Sequence, residues 1–210
     1  MESLLDDRVR LYRGFFDADE AAALFQRLAR ETPWLEVRYE NEGRAHTLPR
    51  LTANYGERSY DYAGLVFTPL PWTPLLTSLR SRMESLAGQP FNALIVQVYR
   101  DGEDAVNWHA DSHPAGGDAP TIASLSFGAS RRFQLRRPGQ RGVEVECTLA
   151  SGDVLIMRGD LQRTHVHKVP REENPVGPRI NLTFRRLDGH SPPLTAPRPH
   201  TSRVVPWPFL

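Results

Sequence analysis

Among 210 residues there is one cysteine, Cys147, and one lysine, Lys168, and the net charge is only +1. A single cysteine excludes an intrachain disulfide, and a chain of this length can bury a sizeable core without one. That usage fits a reducing compartment. No run approaches the roughly 20 apolar residues of a membrane span. The start, MESLLDDRVRLYRGFF, has no apolar stretch behind a basic end, so it does not read as a signal peptide. The expectation is a cytoplasmic, monomeric protein without membrane association. The charge balance neither requires nor excludes a nucleic-acid partner. With lysine almost absent, positive charge falls to arginine. That bias can reflect genome composition, and it also suits bidentate capture of carboxylate or phosphate.

What is present alternates between two periods. FFDADEAAALFQRLARE opens with Asp17 and Glu20 at capping-box spacing and continues with Ala21, Leu24, Phe25 and Leu28 at helical spacing. PWTPLLTSLRSRMESLAG puts Leu75, Leu76, Leu79, Met83 and Leu86 on one face and ends at Gly88, which predicts a second helix with a glycine C-cap. Between them WLEVRYE alternates like a strand and NEGRAHTLPR reads as a loop. From Phe91 the chain turns strand-rich: FNALIVQVYR, TIASLSFG, RRFQLRR, GVEVECTLA, GDVLIMRG, HVHKVP and RINLTFRR are short, β-prone and divided by turn residues. This rhythm predicts a sandwich, barrel or jelly roll. Cys147 reads as a packed strand residue, and Trp72 as an anchor of the second helix. The end, DGHSPPLTAPRPHTSRVVPWPFL, is proline-rich and reads as extended, with its last apolar residues packing on the body.

NWHADSH, residues 107–113, holds two histidines and an aspartate. On a strand, positions i and i+2 share a face, so His109 and Asp111 present an imidazole and a carboxylate to one point. A satisfied hydrogen-bonded pair is the simpler account of such a short match. The other is half of a metal site, completed by His165 or His167 of THVHKVP. Two histidines and a carboxylate on one face form the triad of non-haem Fe(II) oxygenases. RINLTFR then places Arg179, Asn181, Thr183 and Arg185 on one side of a strand and Ile180, Leu182 and Phe184 on the other. Such a face is either a solvated surface or the lining of an anion site. Two arginines can hold the two carboxylates of a dicarboxylic acid such as 2-oxoglutarate.

The strings PRLTANYG, FNALIVQVYRDGEDAVNWHAD, IASLSFGASRRFQLR, GDVLIM, HKVP and PRINLTFR occur in order over most of the segment from about Pro49 to Leu187. Together they resemble the AlkB family of Fe(II)/2-oxoglutarate-dependent dioxygenases, closest to its animal alkylation-repair branch. The resemblance implies an α+β, mainly β fold. Its core is a double-stranded β-helix, or jelly roll, with N-terminal helices packed on one sheet and a nucleotide-recognition lid. One dioxygenase domain would run over residues 1–190, with the lid at about 34–70, the core at about 91–187 and a tail at 191–210. It implies His109, Asp111 and His167 as the Fe(II) ligands, His167 rather than His165 because Lys168, Val169 and Pro170 follow it. Arg179 and Arg185 would hold the ends of 2-oxoglutarate, assisted by Asn181, Tyr99 and Gln97, the last standing where the family often has asparagine. With O2, the implied reaction is oxidative dealkylation of alkylated DNA or RNA bases, yielding aldehyde, succinate and CO2. Tyr60 and Tyr62 would stack the base, Arg50 would reach phosphate, and Ser112 and His113 would border the base edge.

The chain departs from the family pattern in three places. His113 stands where relatives carry an acid that reads the base. His165 stands where close relatives carry tryptophan. NEGRAHT offers no large apolar wedge where the duplex-specialised relative has one, so single strands are the expected preference. The competing readings are a 2-oxoglutarate-dependent hydroxylase or demethylase of a protein side chain or small molecule, and a barrel that binds metal or nucleic acid without turnover.

Overall fold

The computed structural model describes residues 1–62, 65–111, 119–174, 176–187 and 200–207. These hold β1 (Glu2–Leu4), β2 (Val9–Tyr12), α1 (Ala18–Glu31), β3 (Leu35–Asn41), β4 (Arg44–Thr47), β5 (Leu51–Gly56), β6 (Tyr60–Tyr62), β7 (Leu65–Phe67) and α2 (Pro74–Ala87). The strand-rich half adds β8 (Ala93–Tyr99), β9 (Val106–His109), β10 (Ile122–Gly128), β11 (Arg131–Arg136), β12 (Val145–Leu149), β13 (Val154–Met157), α3 (Leu161–Thr164), β14 (Val166–Val169), β15 (Arg179–Arg185) and β16 (His200–Val204). A large sheet runs in the order β1-β2-β13-β10-β15-β8-β5-β3-β16, with β4 also paired to β3. A small sheet runs β12-β11-β14-β9, and β6 and β7 form a separate ribbon. Pairing within the two sheets is antiparallel.

The two helices form where the sequence places them. Asp17 caps α1 by accepting from Glu20 N, Thr73 caps α2 by accepting from Leu76 N, and Gly88 ends α2 at φ 72°. Both pack on one face of the large sheet. Leu24, Leu28, Leu76, Leu79 and Met83 share a core with Val96, Val98, Leu125, Ile180, Leu182 and Phe184. Trp72 stacks parallel to Phe184 at 6.3 Å and fixes the start of α2. The opposite face of the large sheet meets the small one, where Val9, Leu11, Leu155, Met157, Phe133 and Leu135 interlock. Cys147 packs beside them, and burial pushes its thiol up to about 11, which leaves it protonated and inert at neutral pH.

Two segments differ from expectation, and the end of the chain follows it, extended and packed on the body. NEGRAHT is a strand rather than a loop: β3 and β4 form a hairpin, Asn41 opposite Arg44. Its turn residues Glu42 and Gly43 both have positive φ, 53° and 72°. That geometry matches a two-residue hairpin turn, and a glutamate is an uncommon occupant of its first position. The N-terminus, with no strand expected, forms β1 and β2 and extends the large sheet through β13. At the other end β16 pairs with β3 along the opposite edge. Trp207 then enters the helix-side core against Phe25 and Trp34 at 5.7 and 5.8 Å. Among the described residues no helix is long and apolar enough to cross a membrane.

Trp207→Ala removes a large side chain from this cluster. A loss of about 3–5 kcal/mol is expected, read as a lower urea midpoint; an unchanged midpoint would show that the end of the chain only rests on the body.

Candidate metal centre

Alternation along β15 has the consequence its sequence suggests. Ile180, Leu182 and Phe184 point to the helices, while Arg179, Asn181, Thr183 and Arg185 line a cavity between the sheets. The neighbouring strands match it with Gln97 and Tyr99 from β8 and Ser124 from β10. The cavity measures about 670 Å³ with its open mouth. Asn181 Nδ2 donates to Ser124 Oγ and Leu125 O, Arg179 Nη2 donates to Ser126 Oγ at 2.9 Å, and Tyr99 Oη donates to Gln97 Oε1 at 3.3 Å. Arg179 is 1% exposed, yet its Nε and Nη1 have no hydrogen-bond partner among the described residues. Burial lowers its pKa to about 10, so it stays charged at neutral pH. A buried cation without a carboxylate costs several kcal/mol, and a bound anion would remove that cost.

His109, Asp111 and His167 meet on the small-sheet wall, their ligand atoms all within 4.8 Å of one another. His109 ends β9 and His167 lies opposite it on β14. Asp111 is not on a strand: it lies two residues beyond β9, and its backbone N–H donates to Gln162 Oε1 of α3 at 2.8 Å. The shared face therefore comes from α3 holding the chain past the strand end. His109 Nδ1 lies 2.8 Å from Asn107 O. A carbonyl only accepts, so Nδ1 carries the proton and Nε2 presents its lone pair inward.

The electrostatics suit a cation. Burial pushes His167 down to about 3, and it also lowers His109, so both imidazoles are neutral. Burial acts to raise Asp111, but the charged Arg185 beside it is the largest opposing cause, and the carboxyl is brought to about 2. Arg185 Nη1 lies 3.5 Å from Asp111 Oδ1. Two neutral imidazoles and one carboxylate on one wall are the donor set of an open Fe(II) site.

His165 is elsewhere. It caps α3 before β14 begins, is 1% exposed, and lies 3.3 Å from Glu144 across the small sheet. That decides between the two histidines of THVHKVP. Arg50 is not a solvated loop charge: it is 3% exposed, donates to Ala105 O and lines the cavity. Tyr60 and Tyr62 lie on β6, whose ribbon packs through Leu65 and Phe67 on Val37 and Leu48; their rings lie outside the described residues, as do Ser112 and His113.

Gln162, which holds Asp111, and a second buried residue went unread in the sequence. Arg131, fully buried, donates to the carbonyls of Asp101, Asp104 and Pro170 at 2.7–3.0 Å. It thereby ties the turn entering β9 to the end of β14, the two strands that carry the histidines. Its guanidinium and that of Arg179 each lie 5.3 Å from the Tyr99 ring. The signal was available: in RRFQLR it shares the inward face with Phe133 and Leu135. Arg131→Met leaves the three buried carbonyls without this donor and Glu172 with Arg132 alone. It should cost about 3–5 kcal/mol and weaken anaerobic Fe(II) binding; wild-type stability and affinity together would contradict the clamp.

Residues 8–185 match the 2OG-Fe(II) oxygenase superfamily. The chain is 42% identical over 200 residues to alpha-ketoglutarate-dependent dioxygenase alkB homolog 3 of Mus musculus, covering 91% of this chain and 69% of the relative. The Homo sapiens counterpart is 42% identical over 189 residues, 86% and 66% of the two chains. DNA oxidative demethylase ALKBH2 of Homo sapiens is 33% identical over 188 residues, 84% and 72%. The chain thus spans about two thirds of the length of its homolog 3 relatives. The solved structure of OsALKBH1 superposes with a TM-score of 0.63 at 17% identity, covering 88% of this chain and 99% of that one, a likeness of fold. The chain belongs to the AlkB family of 2OG-Fe(II) oxygenases, and His109, Asp111 and His167 are its facial triad for Fe(II).

Proposed function

We propose that this dioxygenase removes alkyl groups from the bases of nucleic acids, with preference for single strands. The observation that carries the chemistry is the buried Arg179, without a carboxylate partner among the described residues, on the same strand as Arg185 and in the same cavity as the triad. Support for the substrate comes from the relatives, among them a DNA oxidative demethylase.

In this reading Arg185, beside Asp111, receives the keto-acid end of 2-oxoglutarate, and Arg179, six positions away on the same strand, receives the far carboxylate. Asn181, Tyr99 and Gln97 border the co-substrate between them. Bound Fe(II) with 2-oxoglutarate and O2 supplies the oxidation of the alkyl carbon, giving succinate and CO2. The chain's own task is to orient and to exclude water. The Phe133 ring lies 5.3 Å from His167 and shields it. Val106, Val169 and Met157 complete an apolar wall. Hydroxylation of an N-alkyl carbon leaves a hemiaminal that collapses to aldehyde and free base.

The substrate side rests on β6, where strand alternation would put Tyr60 and Tyr62 on one face as a stacking platform. Phe67, the cross-strand neighbour of Tyr60, reaches the cavity. Arg50, buried in the same wall, addresses what enters the pocket. Ser112 and His113 would border the base edge, with histidine in place of an acid. The β3–β4 hairpin presents exposed Arg44, Ala45, His46 and Thr47 and has no large apolar side chain to insert between stacked bases.

A panel of methylated and etheno-modified oligonucleotides, single- and double-stranded, read by mass spectrometry, tests this. Single-stranded lesions should be repaired faster than the same lesions in duplex. Equal or faster duplex repair would refute the strand preference, and no repair of any lesion would refute the substrate class.

A further inference from the structure

β9 carries a bulge. His167 pairs with His109, but Val169 pairs with Val106, so three residue steps on β9 face two on β14. The extra residue brings Val106 and His109 both inward to the cavity and turns Trp108 to the outer face of the small sheet. There it meets two cations. Arg136 Cζ lies 4.1 Å and Lys168 Nζ 4.9 Å from the indole centroid. Lys168 is the only lysine in the chain, and it follows the ligand His167 as Trp108 precedes the ligand His109.

The acids of this face are engaged elsewhere. Glu172 pairs with Arg131 and Arg132, Glu144 with Arg137 and His165, and Glu146 accepts from Gln134. Among the described residues neither Arg136 nor Lys168 has a carboxylate at ion-pair distance, and Arg136 Nε is buried without a hydrogen-bond partner. Two like charges gathered on one ring repel each other, and an anion placed between them reverses that cost. β9 is the edge strand of the small sheet, so the cavity wall ends there. A chain that leaves the cavity past His109 and over that edge would arrive on the outer face beside Trp108.

We propose that Trp108, Arg136 and Lys168 form a second contact for the nucleic acid, one that holds phosphates of the single strand flanking the base in the pocket. The proposal rests on the nucleic-acid reading above. The indole acts as a splint that fixes the two cations, and they bind the backbone without reading sequence. The source of the anion is a phosphodiester chain; an acidic peptide is the alternative that the test must exclude.

The test uses the double variant Arg136→Gln/Lys168→Gln and methylated single strands from a dinucleotide to about fifteen nucleotides, assayed over a range of salt. Long strands should lose much of their KM advantage over the dinucleotide. The slope of log KM against log salt should become shallower by about 1.4, from two phosphate contacts at about 0.7 each for single strands. Turnover at saturating dinucleotide should match wild type, which separates a strand contact from pocket damage. The charge-keeping pair Arg136→Lys/Lys168→Arg should retain the wild-type slope. A double variant with wild-type KM and slope on long strands overturns the proposal. So does poly-glutamate that competes as well as an unmodified oligonucleotide of equal charge. If the wild-type protein repairs no lesion, the substrate reading fails, and fluorescence anisotropy with an unmodified oligonucleotide still decides the surface: weaker binding by the double variant supports it, equal binding refutes it.

Discussion

A guanidinium buried between two β-sheets is the constraint on which the rest of this molecule turns. Arg179 is buried on β15 with no carboxylate beside it among the described residues, a state that a small domain keeps only at a cost of several kcal/mol. The strands on both sides are arranged to limit that cost. Ser126 of β10 accepts from Arg179, and the Tyr99 ring of β8 lies against it. The apolar half of β15 faces α1 and α2, which seal the outer side of the large sheet. What remains unmet is an anion, and the cavity that would hold it opens directly toward the metal ligands.

The small sheet does the aiming. One extra residue in β9 turns His109 inward, the pairing of β9 with β14 sets His167 opposite it, and α3 holds Asp111 from beyond the strand. Arg131 joins the approaches of both strands with one planar group that donates to three carbonyls, a geometry lysine cannot reproduce. The bulge that points His109 at the metal also exposes Trp108 behind it. The reaction centre and the outer cation pair thus share one cause in the backbone.

Much of this was legible in the sequence because it obeys simple periods. RINLTFR separates its two faces at every residue, and the helix caps of α1 and α2 sit where Asp17, Thr73 and Gly88 stand. The pairing of His109 with Asp111 was legible as well, though for a partly mistaken reason, since Asp111 is held by a side chain of α3 and not by strand alternation. Spacing could not separate His165 from His167; the difference is that one caps a helical turn and the other lies within a strand. The edge strands β1 and β4 were missed because they bury little of their own and take their form from a partner. The turn at Glu42 was missed because its positive φ is borne by a residue that rarely signals it.

The most direct measurement is the coupling between co-substrate and substrate. Wild-type protein with Fe(II), 2-oxoglutarate and a methylated single strand should release aldehyde and succinate in equal amounts, and Asp111→Ala should release neither. Succinate formed at the same rate without aldehyde, whether or not the strand is present, would contradict the account.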